Sequence, residues 1–242
     1  VKDYKNYLPK YPLIWQKDDL YFKVFCSIPN VATGIILRTQ NSIFIIDPGD
    51  GILRDLKREL KTLDILKISN VFISHGHHDH VGGLWSFLTY LSVMNKSTPL
   101  NLYYPEGCIE IESIFRAFNE VYGRELSYEI CLFPLNKAET IVTEGVSVTP
   151  FKVNHRETVP GSKRSVEVPS IGFNFAYNKL NICYGGDTAY CDSLVQMAKD
   201  SDLAVIEAGA LDEEESELHM TFKQAISVGK TAKEFFLVHV PE

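Results

Sequence analysis

The chain has 242 residues, 45% hydrophobic and 23% charged, the make-up of a globular protein with a sizeable core. Its formal net charge of -7 argues against a protein whose main task is gripping nucleic acid through phosphate contacts. No apolar run reaches membrane-spanning length, and residues 1–19, without a long apolar core, do not read as a signal peptide.

Runs rich in β-branched and aromatic residues predict strands at 20–26, 31–37, 43–46 and 71–73. Further strands are expected at 100–104, 146–153, 171–177, 180–184, 203–206 and 235–238. Helical spacing appears between them. Ile52, Leu53, Leu56, Leu60 and Leu63 form one apolar face, Leu84, Phe87, Leu88 and Leu91 a second. Ile111, Ile114, Phe115 and Phe118 form a third, and Leu194, Val195, Met197 and Ala198 fall on a fourth helix. Thr221 and Gln224 fit a capping box opening a last helix to about residue 233. There is no internal repeat and no clear linker, so residues 1–242 are read as one domain. Two sheets sandwiched between helices and a single mixed sheet both fit this pattern.

The strand at 71–73 runs into Ser74-His75-Gly76-His77-His78-Asp79-His80, where most side chains can bind a metal. Imidazole nitrogen and carboxylate oxygen suit zinc and other borderline divalent ions. One ion cannot use them all and keep a position open for water, so the density points to two metals sharing one loop. The alternative is a solvated loop that happens to be rich in histidine. His155, Asp187 and His239 each follow a predicted strand. Taken singly, a strand-end histidine is more often a surface residue, and Gly186-Asp187-Thr188 is more often just a turn. The five cysteines, odd in number and without a C-x-x-C, fit reduced thiols in a cytoplasmic protein.

Together, the His75–His80 cluster, His155, Gly186-Asp187-Thr188, His239 and Asp47-Pro48-Gly49 resemble the metallo-β-lactamase superfamily, over residues 20 to 240. The resemblance implies an α/β fold, a four-layer αββα sandwich with a dinuclear site at one edge. It implies that His75, His77 and His155 hold one divalent metal ion and that Asp79, His80 and His239 hold another. Asp187 would bridge the two. Zinc is the first choice of metal, with manganese or iron as alternatives. His78 falls at the variable position and is not expected to bind. Asp47 would orient the ligand loop without touching a metal.

His219-Met220-Thr221, preceded by Glu207-Ala208, looks like the phosphodiesterase side of the superfamily, which includes the tRNA 3′-end endonucleases. That resemblance makes His219 a catalytic group that stabilises negative charge or protonates the leaving oxygen. Its bland alternative is a residue preceding a helix cap. Asp79 would orient the nucleophile besides binding metal. Arg156 and Thr188 are assigned to substrate binding, Arg156 opening a basic loop with Lys163 and Arg164. The tRNA endonucleases carry a long RNA-binding arm between the third histidine motif and the bridging aspartate, for which the segment between His155 and Asp187 has no room. The stretch 212–217 is strongly acidic. Both points lead to the expectation of a small anionic diester as substrate, with tRNA not a partner and no membrane. Sulfate esters, thioesters and lactones are alternatives on the same site, and a di-iron redox protein is the alternative from another class. Tyr4, Tyr7, Tyr11 and Trp15 are available to pack on the domain or on a second copy in a homodimer.

Overall fold

The computed structural model describes residues 7–26, 32–136, 139–159, 161–162, 164–211 and 216–241. The expectations at Tyr4, Val31, Lys163 and residues 212–215 lie outside the described residues. The chain divides into two compact units, Tyr11–Leu135 and Asn136–Glu242, the latter together with Val1–Lys10.

The first unit runs β1 (Leu13–Lys17), β2 (Leu20–Val24), β3 (Ile35–Arg38), β4 (Ile43–Ile46), α1 (Ile52–Glu59), α2 (Thr62–Lys67), β5 (Asn70–Phe72), α3 (His78–Val81), α4 (Leu84–Val93), β6 (Leu100–Pro105), α5 (Ile109–Tyr122) and β7 (Ile130–Leu135). Its strands form one sheet in sequence order, antiparallel from β1 to β4 and parallel from β4 to β7. Side chains alternate between its faces. Tyr21, Ile36, Ile45 and Val71 join Ile52, Leu56, Leu84, Phe87, Leu88 and Ile111 of the helices in one buried cluster. The other face carries an aromatic row across β4 to β7. Phe72 meets Phe44 edge-on at 5.8 Å and stacks on Tyr103 at 4.8 Å, and Tyr103 stacks on Phe133 at 4.9 Å. Lys96, only 1% exposed, donates its ammonium hydrogens to the carbonyls of Leu66 and Ile68 and to Thr98 Oγ1, closing the end of α2.

The second unit runs β8 (Ile141–Thr143), β9 (Val146–Lys152), β10 (Arg156–Thr158), β11 (Ser165–Glu167), β12 (Ile171–Tyr177), β13 (Leu180–Tyr184), α6 (Asp192–Ala198), β14 (Leu203–Glu207), α7 (Phe222–Gly229) and β15 (Glu234–Val238). Six strands form a sheet of order β15-β14-β13-β12-β9-β8, and β10 and β11 form a separate hairpin. Cys183, Ala204, Ile206 and Leu237 of the strands pack with Leu194, Ala198, Ala225 and Ile226 of α6 and α7. Tyr7 stacks on Phe235 at 5.6 Å within this unit, and Trp15, 4% exposed, is buried in the first.

Strand direction decides where chemistry can gather. In the first unit β4 and β5 are parallel, so the residues after them share an edge. In the second, β13, β14 and β15 are mutually parallel, and β9, antiparallel to β12, points the same way as β13. The residues following β9, β13, β14 and β15 therefore share one edge, the carboxyl ends of parallel strands where α/β proteins build sites.

Ile43–Ile46, Ile171–Tyr177 and Leu180–Tyr184 match their expected bounds. The first expected helix breaks in two. Leu60 turns extended at φ -124°, ψ 150°, and Leu63, read as part of the buried face, is 71% exposed. Five strands, β1, β7, β8, β10 and β11, were not expected. Among them β7 holds Pro134 inside its run, tolerated because it is an edge strand. The last helix stops at Gly229, where the Phe235 ring leaves no room for a side chain. All five cysteines are free thiols. No helix among the described residues is long and apolar enough to cross a membrane.

The capping box is present: Thr221 Oγ1 accepts from Gln224 N–H at 3.3 Å, and Gln224 Oε1 accepts from Thr221 N–H at 3.0 Å. Thr221→Ala is expected to lower stability by about 1 kcal/mol, measured by urea unfolding. An unchanged midpoint would show that packing alone sets the start of α7.

Candidate functional site

In the first unit, β4 ends in Asp47-Pro48-Gly49. Asp47 takes a left-handed conformation, φ 45°, and is 0% exposed. A carboxylate buried this deeply needs donors. Its Oδ1 accepts from Ser74 N–H at 2.6 Å. Its Oδ2 accepts from the Ser74 hydroxyl at 2.6 Å and lies 2.8 Å from His80 Nδ1. A carboxylate only accepts, so His80 carries its proton on Nδ1. The Ser74 hydroxyl spends its own proton on Asp47 and therefore accepts from His75 Nδ1, 3.0 Å away. Both imidazoles are left with a lone pair on Nε2, the atom a metal takes.

The remaining ligands gather around these two. The His75 ring lies 4.1 Å from His80 and 4.7 Å from His77, centroid to centroid. Asp79 Oδ2 lies 3.4 Å from His80 Nε2. His78 is exposed and joins no ligand group among the described residues. Asp79 and His80 lie in α3; just beyond it Gly83 N–H donates to Pro48 O of the Asp-Pro-Gly turn at 2.9 Å, and Thr33 N–H donates to Asp79 O at 2.8 Å. A side chain at Gly49 would collide with the carbonyls of Thr33 and Asp79.

In the second unit, β13 exits through Gly185-Gly186, with Gly186 at φ 61°, and presents Asp187, 3% exposed. Thr188 stitches this turn to the end of β9. Its hydroxyl donates to Ala189 O at 2.7 Å and accepts from Asn154 N–H at 2.9 Å, and Ala189 N–H donates to Asn154 O at 2.8 Å. Thr188 is 0% exposed. Its side chain therefore serves this seam, which fixes His155.

Glu207, the last residue of β14, is 0% exposed and is the hub of this cluster. Its Oε1 accepts from Thr188 N–H at 3.0 Å and Met220 N–H at 3.2 Å, and its Oε2 accepts from Gly209 N–H at 2.6 Å. His219 Nδ1 lies 3.1 Å from Oε1 and completes the ring of donors. Burial pushes the Glu207 carboxyl above its ordinary range, opposed by the His219 hydrogen bond and reinforced by nearby Asp187. His219 stacks on His239 at 5.1 Å and tilts against His155 at 5.6 Å. His239 Nε2 lies 3.8 Å from Asp187 Oδ2. A side chain at Gly209 would press into both the His219 and His239 rings, at 2.9 Å.

The sequence alone assigns Glu207 no role beyond preceding His219. The missed signal is a single acid closing the apolar run Leu203-Ala204-Val205-Ile206. Arg156 lies on β10, not on a free loop: its Nε and Nη2 donate to Ser165 Oγ and Ser165 O, both at 2.9 Å.

The donor sets are three imidazoles and one carboxylate in the first unit, and His155, His239 and Asp187 in the second. Both are hard-to-borderline N,O sets of the type divalent metals choose.

A family model described as a beta-lactamase superfamily domain matches residues 43–240. Ribonuclease Z of Methanothermobacter thermautotrophicus is 24% identical over 248 residues, covering 86% of this chain and 80% of its own length. The crystal structure of human tRNase Z, short form, aligns with a TM-score of 0.69 and 24% identity over 87% of this chain and 86% of its own. The metallo-beta-lactamase fold protein YhfI from Bacillus subtilis aligns with a TM-score of 0.67 and 19% identity over 88% and 80%. These likenesses show the fold. They also overturn the expectation that tRNA is not a partner, because the relatives are named for RNA processing. That expectation weighed a short segment after His155 and an acidic stretch. Such features bear on how an RNA is gripped, not on which bond the side chains at the strand ends attack.

Asp47→Asn replaces one acceptor oxygen with a donor facing the donors of Ser74 and His80. It is expected to weaken zinc affinity about 10- to 100-fold, read by competition with a chromophoric chelator. Unchanged affinity would mean that Asp47 does not orient the ligand loop.

Proposed function

This chain belongs to the beta-lactamase superfamily, and from that premise we propose that it is a metal-dependent phosphodiesterase whose reaction centre draws on both clusters. His75, His77 and His155 would hold one divalent ion, Asp79, His80 and His239 the other, with Asp187 shared. Zinc suits imidazole and carboxylate best. When bound, such a pair polarises the phosphoryl oxygen and makes water a competent nucleophile near neutral pH.

The chain's own side chains supply the rest. Asp79 accepts a hydrogen bond from the attacking water and aims it at phosphorus. His219 is the acid. With its Nδ1 proton held by Glu207, Nε2 is the atom that carries a proton toward the substrate. The buried Glu207 carboxylate makes the imidazolium more favourable, so His219 can stabilise charge on the phosphoryl oxygen or protonate the leaving oxygen. The pair of Glu207 and His219, stacked beside His155 and His239, is the observation that carries the reading. The relatives named ribonuclease Z support the same linkage as substrate. Small anionic diesters and RNA 3′ extensions both present that linkage.

Metal-loaded protein is expected to hydrolyse bis(p-nitrophenyl) phosphate, and a tRNA precursor with a 3′ extension should be offered beside it. Chelation should abolish the rate. His219→Ala should lower kcat by about 10²- to 10⁴-fold with metal content unchanged. A metal-replete protein that cleaves neither substrate would refute the phosphodiesterase reading.

A further inference from the structure

The second unit contains an open cleft of ≈ 490 Å³ lined by Asn154, Arg156, Tyr190, Ser216, Glu217 and Gln224. That volume lies within the range of small-ligand sites. Its walls are neighbours of the catalytic cluster. Asn154 and Arg156 flank His155, Tyr190 follows the Asp187 turn, and Ser216 Oγ accepts from His219 N–H at 3.2 Å.

Three features give the cleft a chemical character. Tyr190 is 47% exposed, a large aromatic surface at the wall of a cavity. Arg156 is preorganised, because Ser165 holds Nε and Nη2 and so fixes the plane from which Nη1 projects. Gln224 has its carbonyl oxygen committed to the capping box, so its amide hydrogens are the part left for a ligand. Among the described residues Glu217 supplies the acidic side chain of the lining and suits an exocyclic amine better than a second phosphate. An aromatic face, one fixed cation and amide groups within one cavity are the elements that bind a nucleotide: stacking for the base, a guanidinium for the phosphate, hydrogen bonds for the base edge.

We infer that this cleft seats a nucleoside monophosphate unit adjoining the scissile bond, its base stacked on Tyr190 and its phosphate paired with Arg156. The inference rests on the phosphodiesterase reading and narrows it to substrates with a nucleoside on one side of the phosphate.

The test is calorimetric titration of metal-loaded protein with 5′-AMP and with ribose 5-phosphate, which carries the same phosphate and sugar but no base. The wild-type protein should bind AMP about tenfold or more tightly than ribose 5-phosphate. Tyr190→Ala should erase most of that preference, a loss of about 5- to 100-fold in AMP affinity, while Tyr190→Phe keeps it. Arg156→Ala should weaken both ligands. Equal binding of AMP and ribose 5-phosphate by the wild-type protein, or an AMP affinity indifferent to Tyr190→Ala, would overturn the inference. Hydrolysis of bis(p-nitrophenyl) phosphate by the same preparation separates the two claims. Hydrolysis with base-indifferent binding sinks the subsite alone. Base-dependent binding with neither bis(p-nitrophenyl) phosphate nor the tRNA precursor cleaved upholds the subsite and sinks the catalytic reading alone.

Discussion

Each unit is organised around one carboxylate with no exposure to solvent. Asp47 at the end of β4 gathers the Ser74 amide, the Ser74 hydroxyl and His80 Nδ1. Glu207 at the end of β14 gathers the amides of Thr188, Gly209 and Met220 and His219 Nδ1. A buried carboxylate deprived of its donors costs several kcal/mol, so each depends on the donors gathered around it. The consequence is chemical as much as structural. Each carboxylate fixes a histidine tautomer, and in doing so decides which ring nitrogen faces outward and what it can do there. Asp47 fixes the histidine assigned to metal; Glu207 fixes the one assigned to proton transfer.

The sheets put these carboxylates where they are needed. Parallel strands send their carboxyl ends to one edge, and the turns that follow are held close by glycine. Gly49 lets the Asp47 turn lie against α3, and Gly209 lets two imidazoles stack over the chain. Within each unit strand alternation packs one sheet face against helices, Ile45 and Val71 in the first and Cys183 and Ile206 in the second. The candidate site residues thus rest on rigid elements, the arrangement that can hold reacting groups to a fraction of an ångström.

Much of this was legible in the sequence. Candidate metal ligands crowd into His75–His80, and that density is visible without any structure. Strands such as Ile171–Tyr177 alternate and end in turn residues, so their limits are visible. The rest depends on contacts distant in the chain. Glu207 acquires its meaning only when Thr188 and His219, 19 and 12 residues away, converge on it. Thr188 reads as a turn residue beside a ligand, and only folding shows its hydroxyl bonded to the backbone of Asn154 and Ala189. Pro134 hid β7, because local sequence does not reveal which strand will lie at an edge. The length of one loop says equally little about what bond a strand edge can cut, and so about whether tRNA is a partner.

The central claim is that ligands from the two clusters hold one pair of metal ions. Metal content by mass spectrometry, on the wild-type chain and on His155→Ala and Asp187→Ala, addresses it most directly. The account predicts two ions per wild-type chain. It predicts that either substitution, though made in the second unit, weakens retention of metal by the histidines of the first. Two ions retained with unchanged affinity in both variants, or no more than one ion in the wild-type protein, would contradict it.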